Sequence, residues 1–434
     1  MSFLKKIFFP SITIISFLLF FYVFYKSEIF WGGQQRGFYL FYYILSLILF
    51  FFSIIAFFLS AKIKEYLAIS CLSVVASLYL FETYLTFNKS NSKENILKEK
   101  LYNKQTGKKW DNRRLFEIEK DLKKIDEKIV VRFYPIFYIK EENSILPLSG
   151  ISNSKTIHCN ENGYYSMYKS DRYGFNNPNE EWDNKKVEYV LVGDSYPHGA
   201  CVNRPNDISS VLRKLSGNSV INLGFSGNGP LLQYAALKEY LKPNVKKVLW
   251  LYYEGNDLTE LLNEKKNRLL KNYLDNKNFT QNLTQKQNEI DNFLRNKIEV
   301  EREKSLISTK FRIKKFIKLG KLRETFINQP VASPALEFKK ILRLAKNFSE
   351  KNNSKLYFVY LPEFKRYKFK YDQANYKIVK NIIMELDIPF IDLHQELFQK
   401  VENPLKLFPF ELLGHYNING YKKVAETIYK FSKP

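Results

Sequence analysis

Residues 187–195, VEYVLVGDS, join a mostly apolar run, YVLVG at 189–193, to a serine at the end of the stretch. Such a run is typical of a strand that is buried on both faces of a sheet. Gly193 permits a sharp turn just before the serine. Open α/β sheets place their chemistry outside the carboxyl ends of the strands. The sequence therefore predicts that Ser195 is presented at such a strand end.

Downstream of Ser195, apolar runs alternate with segments of helical periodicity. The pattern predicts strands at 219–223, 247–253, 355–361 and 389–392, and helices at 206–217, 230–241, 335–350, 372–386 and 419–431. Asn206 is the predicted N-cap of the first helix, and Gly217 its stop. Because alternating strands and helices form a parallel sheet covered on both faces, we expect an α/β fold of three layers, α/β/α and flavodoxin-like, over 185–434.

The N-terminal region contains three long uncharged runs, at 7–25, 37–61 and 66–81. A bilayer core requires about 20 apolar residues, so 1–87 is predicted to form three transmembrane helices. The first run is longer than the apolar core of a signal peptide, about 7 to 15 residues, and no small-residue cleavage site follows it. This favours an uncleaved anchor.

Short basic loops predict the orientation of these helices. Lys5 and Lys6 precede the first span, and Lys62 and Lys64 lie between the second and the third. Both sites are cytoplasmic by the positive-inside rule. The C-terminal part is then periplasmic or otherwise extracytoplasmic, on a bacterial inner (plasma) membrane. Glu82 is expected near the outer interface, where an ionised carboxylate costs least.

Two further regions flank or interrupt the alternating part. Residues 88–109 are polar and lysine-rich, which is typical of a tether, and the short aromatic runs up to 184 predict β-rich decoration. Residues 258–330 are too long for a loop and show weak helical periodicity. Both a lid or docking insertion and a solvated helical insertion fit this segment.

The charge and the residue spacing argue against two classes of function. The formal net charge is +24, but the lysines are scattered, and no helix-turn-helix, zinc or RNA-recognition signature is present. Nucleic acid is therefore not an expected partner; compositional drift, or attraction to anionic lipid or acidic glycan, explains the charge. No His, Cys and carboxylate cluster has ligand spacing, so neither a metal nor another cofactor is predicted.

Three later stretches contain groups that can serve Ser195: INLGFSGNGP at 221–230, LWLYYEGND at 249–257 and GHYNINGY at 414–421. Glycines in the first let a backbone N–H approach a negative oxygen closely. Asn256 in the second can supply an amide donor, an Asx turn being the alternative. His415 in the third lies on a loop, and histidine is the usual base near neutral pH.

The order and content of these stretches resemble the SGNH, or GDSL-like, hydrolase superfamily. The resemblance implies that Ser195 is the nucleophile, Gly227 and Asn256 are oxyanion donors, and His415 is the base. The glycine elbow of α/β-hydrolases is absent, because Pro197 occupies the place of its second glycine.

The sequence departs from the family pattern at one position. Members usually carry an aspartate three residues before the histidine, and Leu412 stands there. Glu411 and Asp392 are the candidates for the acid that orients the imidazole. If a backbone carbonyl orients it instead, the site is a Ser-His dyad, and the reaction class stays the same.

Membrane-anchored bacterial members of this superfamily are associated with adding or removing acyl groups, commonly acetyl, on cell-surface polysaccharides. The resemblance thus implies a serine esterase or O-acyltransferase that is integral to the membrane, takes an acylated carbohydrate and, for transfer, works with a membrane-bound acyl-transfer partner. A non-catalytic glycan-binding or anchoring subunit that keeps the fold is the alternative.

Two of the three cysteines, Cys159 and Cys201, belong to the outward part of the chain. Cysteines in an oxidising compartment can pair, so a Cys159–Cys201 disulfide is predicted, two separate buried thiols being the alternative. Cys71 lies in the third span as a small apolar residue.

Overall fold

The computed structural model describes residues 2–33, 36–87, 93–141, 143–306, 316–326 and 334–433. Its contacts form two compact units, Met1–Ser92 with Thr309–Ala332, and Lys93–Ser308 with Ser333–Pro434. The strands are β1 (Ile129–Val131), β2 (Lys155–Ile157), β3 (Met167–Lys169), β4 (Val187–Gly193), β5 (Val220–Asn222), β6 (Val245–Tyr253), β7 (Lys355–Leu361) and β8 (Phe390–Asp392).

The described α-helices are α1 (Ser2–Phe24), α2 (Arg36–Phe57), α3 (Ala61–Phe87), α4 (Lys93–Thr106), α5 (Leu115–Lys123), α6 (Ser195–His198), α7 (Ile208–Ser216), α8 (Pro230–Tyr240), α9 (Asp257–Glu264), α10 (Arg268–Asp275), α11 (Gln287–Leu306), α12 (Gly320–Phe326), α13 (Ala335–Lys351), α14 (Lys365–Lys368), α15 (Ala374–Glu385), α16 (Leu393–Glu396) and α17 (Ile418–Ser432). A π-helical segment, Tyr25–Phe30, continues α1. Short 3₁₀ helices are Pro135–Phe137, Asn179–Asp183, Leu283–Gln285, Phe398–Lys400, Pro404–Leu407 and Pro409–Glu411.

The smaller unit contains the three apolar N-terminal helices. Ile7–Phe30, Arg36–Phe57 and Ala61–Thr86 are each long and apolar enough to cross a membrane. The predicted spans thus exist as helices of membrane-crossing length.

Two polar side chains of this unit, Thr13 and Glu82, form hydrogen bonds inside it. Thr13 Oγ1 donates a hydrogen bond to Ser53 Oγ at 2.9 Å, which joins α1 to α2. The buried Glu82 carboxylate accepts the backbone N–H groups of Lys321 and Leu322 at 2.9 and 2.8 Å. These two N–H groups belong to the first turn of α12, which has no intrahelical acceptor for them, so Glu82 satisfies donors that would otherwise lack a partner.

The larger unit is organised around a five-stranded parallel sheet in the order β5-β4-β6-β7-β8. β4, the first strand of this sheet in the chain, lies between the second and the third, β5 and β6. This gives the flavodoxin-like strand order 2-1-3-4-5. The loops after β5 and β6 therefore flank the end of β4, and this end is the topological switch point at which such folds bind ligands. The predicted fold class, an α/β/α sandwich behind apolar N-terminal helices, is confirmed.

Alternate side chains of β4 enter two different cores. Val190 and Val192 pack on the face covered by α8, α13 and α15, whereas Tyr189 and Leu191 pack on the face covered by α7 and α17. Both faces are buried, which explains why the strand reads as a continuous apolar run rather than an alternating one.

The predicted N-cap of α7 is off by one residue. The Asp207 side chain, rather than that of Asn206, accepts the backbone N–H of Ser210 at 2.9 Å. A carboxylate at this position reaches the third helical N–H, as an N-cap does. Gly217 ends the helix with φ +63°, as expected.

The segment before the sheet is more ordered than a tether. Residues 88–92 lie outside the described residues, but Lys93–Thr106 forms α4, where Tyr102 is buried against the rings of Trp110 and Phe410. The decoration forms a small mixed sheet, β1-β2-β3, whose Ile129 and Ile157 share a core with Val190.

The insertion after β6 is helical and packed where the structure describes it. Leu270 on α10 and Ile290 and Leu294 on α11 are buried in the core that also holds the main sheet. The rest of the predicted insertion at 307–315 and 327–330 lies outside the described residues.

Candidate active site

Ser195 begins α6 directly beyond the carboxyl end of β4. A side chain on Gly193 would bring its Cβ to 2.6 Å from the backbone oxygen of Leu251. Glycine is therefore required where the strand turns beside β6 to present the serine. Ser195 retains 9% of its surface exposed, so it is largely shielded from solvent.

His415 contacts the serine through one ring nitrogen. Its Nε2 lies 2.9 Å from Ser195 Oγ, although the two residues are 220 positions apart. The other nitrogen, Nδ1, faces a carboxylate and therefore holds the proton. This tautomer leaves Nε2 as the acceptor for the serine O–H, which is the geometry of a general base.

The carboxylate at His415 is Glu161, a residue that sequence reasoning did not select. Glu161 Oε1 lies 3.0 Å from His415 Nδ1, and Oε2 accepts the backbone N–H of His415 at 2.6 Å. A Cβ on Gly414 would lie 2.7 Å from Oε2, so this glycine leaves room for the two-point contact. Both the ring and the backbone of His415 are thus fixed by one acid.

The opposite charges of His415 and Glu161 each favour the charged form of the other group. Burial lowers the pKa of His415, but the charge of Glu161 and its hydrogen bond to Nδ1 outweigh burial, so this pKa lies above its ordinary value. Burial raises the pKa of Glu161, but the charge of His415 and its hydrogen bonds outweigh that effect and lower the pKa to about 2. An ionised Glu161 can therefore stabilise the imidazolium that forms when His415 accepts a proton.

Glu161 takes the place of both predicted acids. Asp392 caps α16, where it accepts the backbone N–H of His394 at 3.1 Å, and it also accepts the Tyr376 hydroxyl. Glu411 accepts a hydrogen bond from Asn403 Nδ2 at 3.1 Å. Each carboxylate already serves a local turn, and the structure brings neither of them to His415.

A disulfide joins the loop of Glu161 to the segment of Ser195. Cys159 and Cys201 are bonded, with their Cα atoms 5.0 Å apart. Asn162 Nδ2 also donates to the backbone oxygen of Cys201 at 2.8 Å. The predicted pairing of these cysteines was the one signal in the sequence that placed residue 161 near Ser195.

Counting thiols tests this bond. Denatured, unreduced protein should show one reactive thiol, that of Cys71, and reduction should expose two more. The bond closes a loop of 42 residues, so replacing both Cys159 and Cys201 by serine should lower the free energy of unfolding by about 4 kcal/mol. Cys71→Ser is the control and should leave the free energy of unfolding of the larger unit, which contains Cys159 and Cys201, unchanged. Three reactive thiols before reduction would contradict the bond.

The two predicted oxyanion donors meet at Asp194, the residue before Ser195. The N–H of Gly227, whose φ is +83°, donates to Asp194 Oδ1. Asn256 Nδ2 donates to Asp194 Oδ2 and to Glu260 Oε1, both at 2.9 Å, which uses both of its N–H bonds. The donors are therefore next to the serine, but an ester oxygen must compete with carboxylates for them.

The site combines a serine after the first strand of the sheet, a glycine loop after the second, an asparagine after the third and a histidine before the last helix. This arrangement follows the order of the SGNH pattern on a flavodoxin-like sheet. Its departure from the SGNH pattern lies in the acid, which comes from the decoration before the sheet instead of from the histidine loop.

Solved structures similar to this chain include a lipolytic protein of the G-D-S-L family from Desulfitobacterium hafniense (15% identity, 57% of this chain and 99% of that chain, TM-score 0.32). TesA (12%, 57% and 99%, 0.33) and the acetyl xylan esterase AlAXEase (14%, 56% and 98%, 0.32) are also similar. No family model and no curated protein matches the sequence.

Proposed function

We propose that this chain is a membrane-anchored, outward-facing serine esterase or O-acyltransferase that acts on acyl esters, above all acetyl esters, of cell-surface glycans. The observation that carries the proposal is the hydrogen-bonded chain from Ser195 Oγ through His415 to Glu161. A nucleophile, a base and a group that orients the base are the parts that acyl transfer through serine requires.

The reaction follows from this geometry. Ser195 Oγ attacks the ester carbonyl while its proton moves to His415 Nε2. The tetrahedral intermediate then collapses, the bond to the alcohol breaks, and the leaving oxygen takes the proton from His415. Water releases the acyl group from Ser195 in the esterase reaction, and a sugar hydroxyl releases it in the transferase reaction, with His415 as the base again.

The developing negative oxygen requires donors. We expect the backbone N–H of Ser195 at the start of α6, the N–H of Gly227 and the amide of Asn256 to donate to it. The substrate must then replace Asp194 as the acceptor of the last two. A neutral or otherwise compensated Asp194 makes that exchange easier, because it holds the donors less tightly.

Labelling with a fluorophosphonate probe tests the proposal. The purified full chain in detergent should react covalently, mass spectrometry should locate the adduct on Ser195, and p-nitrophenyl acetate should be hydrolysed. A folded sample that neither labels nor hydrolyses the ester would overturn the proposal. A non-catalytic glycan-binding or anchoring subunit would then take its place.

The outward orientation rests on the basic loops and the disulfide. Lys62 and Lys64 lie between the second and third apolar helices, and disulfides persist in oxidising compartments. An alkaline phosphatase reporter fused after Pro434 should therefore be active, and a cytoplasmic reporter at the same position should be inactive. The reverse pattern would place the catalytic unit in the cytoplasm.

A further inference from the structure

A group of acidic side chains lies next to the candidate oxyanion donors, Gly227 and Asn256. Asp194 at the end of β4 and Asp257 and Glu260 on the first turn of α9 each bring one carboxylate oxygen within 4.8 Å of the other two. Asp194 and Asp257 are buried, with 2% and 0% of their surface exposed. Glu264, one turn further along α9, is buried as well.

These carboxylates repel one another inside the protein. Three carboxylate oxygens within 4.8 Å of one another repel each other when they are ionised and shielded from water. Buried ionised carboxylates are stable only when they are paired or coordinate a metal. The group must therefore hold either shared protons or a cation.

Several oxygens around this group lack a donor. Asp257 Oδ1, Glu260 Oε2 and Glu264 Oε1 are buried without a hydrogen-bond partner among the described residues. The same holds for Gln233 Oε1, whose side chain is 1% exposed and whose Nε2 lies 3.4 Å from Asp257 Oδ2. An amide oxygen can only accept, so Gln233 Oε1 requires either a donor or a cation beside it. A cation satisfies several acceptors at once.

We propose that Asp194, Asp257 and Glu260 bind a hard divalent cation, Ca²⁺ or Mg²⁺. Carboxylate and amide oxygens are the ligands these ions prefer, whereas zinc and copper favour nitrogen and sulfur. Oxygens bound to one Ca²⁺ at about 2.4 Å lie at most about 4.8 Å apart, and the three carboxylate oxygens lie within that limit of one another.

The position of the site has a catalytic consequence, which rests on the proposed function. Asp194 and Glu260 are the acceptors that hold the Gly227 and Asn256 donors. A cation neutralises these two carboxylates and weakens their competition with an ester oxygen. Binding itself requires no ester chemistry, so it can be measured separately.

Isothermal titration calorimetry tests the proposal on the full chain in detergent, stripped of metal with a chelator. Titration with CaCl₂, and separately with MgCl₂, should reveal one site that Asp257→Asn and Glu260→Gln each weaken at least about tenfold, since each removes a ligand. The melting temperature of the wild type should rise with the bound ion and that of the variants should not. Glu402→Gln, on an exposed loop, is the matched control and should bind as the wild type does.

The outcomes separate the alternatives. Binding of Ca²⁺ alone or of Mg²⁺ alone identifies the ion and supports the site. No heat and no thermal shift at millimolar concentrations of either ion would overturn the proposal and leave proton sharing. Binding that is equal in the wild type and in both folded variants would overturn it too. These results are independent of ester turnover and of fluorophosphonate labelling, so failure here leaves the proposed esterase untouched.

Discussion

Ser195→Ala is expected to abolish fluorophosphonate labelling and to lower ester turnover by about a million-fold. Oγ is the atom that attacks the carbonyl, and its removal leaves only binding and oxyanion stabilisation, which retain a small part of the rate. Labelling is measured by in-gel fluorescence of the full chain, and turnover by release of p-nitrophenol from the acetyl ester.

Ser216→Ala is the matched control. Ser216 lies at the end of α7, where its hydroxyl donates to the backbone oxygen of Leu212. This variant should label and turn over like the wild type. If Ser195→Ala keeps either the label or the turnover, the chain is not an enzyme that uses this serine.

Much of the fold could be predicted because parallel strands that are buried on both faces appear in the sequence as short apolar runs. β7 was expected at 355–361 and is Lys355–Leu361, and α8 begins at Pro230 as its sequence indicates. The sequence was misleading at 93–106, where α4 is polar over most of its length. The burial of Tyr102 against two aromatic rings, which fixes this helix, depends on contacts distant in sequence.

The candidate site was predictable where one residue type at a strand end or a loop suffices, as for Ser195 and His415. The carboxylate that contacts His415 was not, because the family pattern points to position 412 in the loop of His415, where Leu412 stands. Glu161 precedes the whole sheet in the chain and reaches His415 only through the decoration and its disulfide.

The interactions of the oxyanion donors were also beyond sequence reasoning. Gly227 and Asn256 both lie beside Asp194, and their N–H groups point to its carboxylate. The turn after β4 decides where that carboxylate points. The acidic group could not be predicted from the sequence either. Asp194 and Asp257 are 63 positions apart and meet only because β4 and β6 are neighbours in the sheet.

Glu161→Gln should lower turnover by about 10⁴-fold while leaving the protein folded. The amide keeps the size of the side chain but can donate an N–H to His415 Nδ1, which favours the tautomer with the proton on Nε2, where the base must be free. The charge that stabilises the imidazolium is lost as well. Turnover of p-nitrophenyl acetate measures the effect.

The pH profile of the residual activity distinguishes this role from a structural one. His415 acts as a base only when it is neutral, so the rate rises as the pH passes its pKa. Glu161 raises that pKa above its ordinary value, so its removal should move the rise in rate to lower pH. Glu411→Gln and Asp392→Asn are the matched controls, and both should keep the wild-type profile because each carboxylate serves a turn away from His415. If one of these two controls loses far more activity than Glu161→Gln, that residue is the orienting acid. If none of the three changes the rate, Ser195 and His415 work as a dyad.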